Sequence, residues 1–66
     1  MIKNGQTEAT NEPYKVESWA GRRLDKLLYA GNLQKARIIF ARATKGGRFT
    51  RLTIRQGERV LDEWRR

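Results

Sequence analysis

The chain has 66 residues, a formal net charge of +8, and neither cysteine nor histidine. A chain of that length holds one core at most and buries only about 60% of the surface its unfolded form exposes. The absent residue types exclude disulfides, thiolate metal sites and imidazole acid–base chemistry, and a small domain without such staples fits a reducing cytoplasm.

Residues 1–12 are polar, carry no large apolar residue after Ile2, and end at Pro13. They read as a flexible tail, without the apolar run of a signal peptide or membrane span. This tail holds Lys3 against Glu8 and Glu12, a net of −1, which leaves +9 on the single domain expected over 13–66. A positive field of that density in a small body attracts phosphates and other polyanions.

From Tyr14 the pattern changes to YKVESW, then Ala20-Gly21, then RRLDKLLY, which predicts a β-hairpin. A three-residue loop, Trp19-Ala20-Gly21, would put glycine in the left-handed position that closes a bulged turn. That register pairs Val16 with Leu24, Glu17 with Arg23 and Lys15 with Asp25. One face then gains an apolar pair and the other two opposite-charge pairs, each contributing about 0.2–1 kcal/mol.

A helix follows. Asn32 suits the N-cap, because its side-chain oxygen can accept from an unpaired amide of the first turn. Gly46-Gly47 is a suitable stop. Between them Leu33, Ala36, Ile39, Phe40 and Ala43 recur on one side at 100° per residue, with Gln34, Lys35, Ile38 and Arg42 opposite.

The stretch RLTIRQGERVLDEW predicts a second hairpin. With Arg55-Gln56-Gly57 as its loop, Leu52 pairs with Val60 and Thr53 with Arg59. Ile54, Leu52 and Val60 would share the inner face. Arg51, Thr53, Arg59 and Leu61 would share the outer one, where Leu61 breaks the alternation.

The order ββαββ gives an α+β fold, a four-stranded antiparallel sheet with one helix packed on one face. Its expected core is Val16, Leu24, Leu28, Leu33, Ala36, Ile39, Phe40, Ala43, Leu52, Ile54 and Val60. Trp19, Tyr29, Phe49 and Trp64 would close the rim.

Asn32-Leu33, Ala36-Arg37, Phe40, Ala43, LTIRQ, RVL and Trp64 together resemble a group of short uncharacterised basic bacterial proteins of unknown function. That resemblance covers most of residues 14–64 and implies a bacterial context without a mechanism. Tyr14, Val16, Gly21-Arg22-Arg23 and the alanine-rich helix are also similar to the arm-type DNA-binding domains of phage integrases. Those domains place three strands before the helix, whereas this chain has two before and two after.

Catalytic, cofactor and metal sites are not expected. Ser18 has no histidine to activate it, and Lys45-Gly46-Gly47 follow the helix instead of preceding one as a phosphate-cradling loop requires. The carboxylates lie in a basic field that favours their charged form. The expected role is therefore non-enzymatic: a module binding nucleic acid, DNA or RNA, through phosphate contacts. Arg51, Arg55 and Arg59 would form the contact surface, helped by Arg22 and Arg23, with Trp19 available to stack on a base. The same arginines also suit a solvated sheet face with local ion pairs to Glu17, Glu58 or Asp62. A second expectation is a protein-interaction module, with a homodimer or protein partner meeting Ile38 or an open sheet edge. Adhesion to a membrane is not expected, because packing would leave the helix no wide apolar face.

Overall fold

A computed structural model describes residues 12–66. Strand β1 (Tyr14–Ala20) turns into β2 (Arg23–Gly31), helix α1 (Leu33–Gly46) follows, and β3 (Arg51–Gln56) turns into β4 (Arg59–Arg65). The fold is the expected small α+β arrangement in the order ββαββ, with one open sheet of strand order β2-β1-β3-β4. Both β2 and β3 run antiparallel to β1, so they are parallel to each other. Helix α1 therefore forms a crossover from the β2 edge to β3, with β1 held between. Of the expected tail, only Glu12 lies within the described residues; its carbonyl accepts from Gln56 Nε2 at 3.0 Å.

The helix begins and ends where its residues dictate. Asn32 Oδ1 accepts from the Lys35 amide at 2.8 Å, and Gly47 closes the other end in the left-handed conformation. Ala36 is fully buried against Val16 and Ile54, with Leu33, Ile39 and Phe40 packed around them. A small residue at the point of closest approach lets the helix settle onto the sheet. Ile38 points away and is 48% exposed.

Both hairpin registers differ from the sequence expectation. Each loop has two residues, not three: Ala20 pairs with Arg23 around Gly21-Arg22, and Gln56 pairs with Arg59 around Gly57-Glu58. Gly21 (φ 65°) and Gly57 (φ 60°) hold the first loop position, where a positive φ matches the twist of the flanking strands. In the first hairpin Val16 consequently faces Tyr29, Glu17 faces Leu27, and Lys15 faces Ala30. The expected pairs Glu17–Arg23 and Lys15–Asp25 do not form. Irregularities in β2 make Leu28 and Asp25 the extra residues, and they deliver Leu28 and Tyr29 to the core. Burying those two side chains outweighs two exposed charge pairs.

In the second hairpin Leu52 faces Trp64, Thr53 faces Glu63, and Arg55 faces Val60. Leu61 is the bulged residue and packs against the core, which accounts for the broken alternation. Leu24 and Val60 therefore leave the expected core; they are 46% and 54% exposed.

Candidate nucleic-acid interface

Pairing across the four strands fixes what lies on the sheet face away from the helix. Leu24, Trp19, Arg51 and Arg65 form one row across it, and Leu27, Glu17, Thr53 and Glu63 form the next. Ala30, Lys15, Arg55 and Val60 form a third. In every row the β2 residue is apolar, and in the first and third rows the β3 residue is a cation.

Arg51 is held by three groups. Its Nε donates to Glu63 Oε2 at 2.7 Å, its Nη1 donates to the Gly21 carbonyl at 3.2 Å, and its guanidinium lies 5.0 Å from the centroid of the Trp19 ring. Trp19 is itself fixed, because its indole Nε1 donates to Thr53 Oγ1 at 2.9 Å. Arg65 Nε donates to the same Glu63 oxygen at 3.0 Å. One carboxylate oxygen thus draws two guanidinium groups together, against their mutual repulsion. Hydrogen bonds from Arg65 and Arg51 hold the Glu63 carboxyl below its ordinary pKa.

Beside this pair opens a cleft of about 480 Å³, lined by Gly21, Arg22, Thr50, Arg51, Arg65 and Arg66. The β1–β2 turn forms one wall, and the start of β3 with the end of β4 forms the other. The Arg66 amide donates to the Thr50 carbonyl at 2.9 Å, and its guanidinium donates to the Gly47 carbonyl at the helix C-terminus. Arg22 and Arg66 have no carboxylate partner among the described residues. Arg51 and Arg65 share one acid and keep unused N–H groups. Four arginines at the cleft, with one carboxylate pairing two of them, make a site with surplus positive charge, suited to phosphate oxygens.

The arginines singled out from sequence fall into three settings. Arg51 and Arg22 line the cleft, and Arg23 adjoins it at the start of β2. Arg55 does not join them. Its Nη2 donates to Glu17 Oε2 at 2.8 Å, and the Glu17 side chain is only 3% exposed. Glu17 Oε1 and Arg55 Nε are also buried, without hydrogen-bond partners among the described residues. Arg55 is therefore part of the structural frame. Arg59 pairs with Gln56 at the far turn, one strand position beyond the Arg55 row, so it does not share the outer face with Arg51 and Thr53 as expected. Trp19 is partly buried beneath Arg51, which makes it a support for the cleft as well as a ring.

Two cleft arginines, Arg65 and Arg66, and their organiser Glu63 were absent from the expected contact surface. Only the correct second-hairpin register, with its bulge, brings Arg65 opposite Arg51. Among the described residues no cluster of acidic side chains could hold a metal ion, and no helix is long and apolar enough to cross a membrane. Comparisons with protein families, with curated proteins and with solved structures return no match.

Proposed function

We propose that this protein is a non-enzymatic, cytoplasmic module that binds nucleic acid mainly through its backbone phosphates. The observation that carries this reading is the cleft lined by Arg22, Arg51, Arg65 and Arg66, of which only Arg51 and Arg65 are paired, both with Glu63. Phosphate contacts from arginine forks set affinity without reading sequence, so no base code is required of so small a surface. The +8 net charge would add long-range attraction.

Fluorescence anisotropy with labelled duplex and single strands over a salt series tests it. With about four phosphates neutralised, log affinity should fall against log salt with a slope near −3.6 for duplex or about −2.8 for a single strand. Removing one contact with Arg22→Ala should make the slope shallower by about 1. Absence of binding at low salt would refute the proposal.

A protein-interaction or homodimeric role is favoured by one separate observation, the exposure of Leu24, Leu27, Val60 and Ile38 on a molecule with two open sheet edges, β2 and β4. An obligate dimer would melt at higher temperature when concentrated. A concentration-independent melting midpoint would set that role aside.

A further inference from the structure

We infer that the nucleic acid is single-stranded and lies across the helix-free sheet face, with a phosphate in the arginine cleft and its neighbouring bases on Leu24 and Leu27. This rests on the phosphate-binding reading and specifies the form of the strand.

Three features of the face converge on it. First, the helix covers only one side of the sheet, yet the other side is not uniformly polar. Leu24 is 46% exposed and Leu27 is 54% exposed, both on that face. Second, this apolar strip continues directly into the cleft. Leu24 pairs with Trp19, Trp19 lies under Arg51, and Arg51 is bridged through Glu63 to Arg65. Passing along one row therefore leads from an apolar surface through an aromatic ring and a stacked guanidinium to a cluster of phosphate ligands. Third, Arg51 is pre-oriented by Trp19, Glu63 and the Gly21 carbonyl, so little freedom is lost when it meets a ligand.

The chemistry of a single strand matches that row. Its bases carry apolar faces that stack on rings, guanidinium planes and aliphatic surface, while its phosphates seek cations alongside. A duplex hides its base faces inside the stack and offers only phosphates and groove edges. It would leave Leu24 and Leu27 in water. A second copy of this chain would bring two surplus-positive clefts toward each other, which opposes face-to-face pairing. Charge complementarity thus selects a polyanion with exposed apolar faces.

The test compares a 12-nucleotide single strand, as DNA and as RNA, with the matching duplex at one salt concentration. Binding is followed by anisotropy and by Trp19 fluorescence in a Trp64→Phe background. The single strand should bind at least about tenfold tighter and change Trp19 emission. Leu24→Ala and Leu27→Ala, each truncating an exposed side chain, should remove most of that preference while leaving duplex affinity and the melting midpoint unchanged. Arg22→Glu should weaken both ligands.

Equal or tighter duplex binding would overturn the inference, as would full single-strand affinity in both leucine variants. In either case a loss with Arg22→Glu would leave the phosphate-binding reading standing. No binding of any strand would defeat both. Sedimentation as a dimer that Leu24→Ala dissociates would assign the face to a second copy and overturn the inference.

Discussion

Arg51 and Arg55 stand four residues apart on one strand and face the same way, but their partners give them different roles. Arg55 meets a carboxylate almost wholly withdrawn from water, whereas Arg51 meets the shared Glu63 at the cleft. Glu17→Ala should strand the Arg55 charge and cost about 1–3 kcal/mol, a range set by charged hydrogen bonds because a third of Arg55 remains in water. Urea unfolding measures that loss; an unchanged midpoint would show the pair to be ornamental. Arg55→Ala is likewise expected to destabilise the domain, unlike Arg22→Ala, which touches no described partner. The sequence made both arginines visible but not this distinction, because Glu17 and Arg55 are 38 residues apart and meet only through pairing of β1 with β3. Local pattern reading offered Arg23 as the partner of Glu17 instead.

Glu63 carries a pH signature of its own. Its folded pKa lies below the ordinary 4.5, through hydrogen bonds from Arg65 and Arg51. Its contribution to stability is therefore complete above the unfolded value and disappears as pH falls through the lower, folded value. The stability difference between the parent and Glu63→Gln should stay constant near neutrality and shrink in acid. A difference that ignores pH across that interval would contradict the shared-carboxylate geometry.

Among the elements, α1 was the most legible. Its cap, its stop and its apolar stripe are all local features, and Leu33, Ala36, Ile39 and Phe40 pack where their spacing places them. Asn32→Ala should cost about 1 kcal/mol of stability, and Asn32→Asp should restore most of it by keeping the acceptor. Thermal melting of the two variants separates a cap from a bystander.

The hairpins were legible as hairpins but not in register. Gly21 and Gly57 fit a positive φ either as the last residue of a three-residue loop or as the first of a two-residue loop, and local charge pairing favoured the former. Packing against the core under the helix favoured the latter, since the bulged strands bring Leu28, Tyr29 and Leu61 inward. Gly21→Ala meets no neighbour within 4 Å, so its cost is conformational alone, about 1–2 kcal/mol. A melting midpoint equal to the parent's would rule out the left-handed turn.

At the scale of the whole molecule, composition indicated a surplus of positive charge without locating it. The fold concentrates part of it at one end of the sheet, where the first turn, the start of β3 and the end of β4 meet. Of the arginines expected at a contact surface, Arg22 and Arg51 line the cleft, and Arg23 adjoins it. Arg59 lies at the opposite end, and Arg55 is committed to Glu17. Arg65 and Arg66 line the cleft instead, in a register that depends on one bulged leucine. Strand order had the same origin. That β1 and β3 are central follows from their continuous burial, which becomes visible only after all four strands are placed.

Chemical-shift mapping with a mixed-sequence oligonucleotide tests most directly whether the arginine cleft receives phosphate. The expected shifts centre on the amides of Gly21 to Arg23, Thr50 to Leu52, and Arg65 and Arg66, and fade as salt is raised. Shifts confined to the outer face of α1 around Ile38 and Arg42, or none at low salt, would contradict the proposed site.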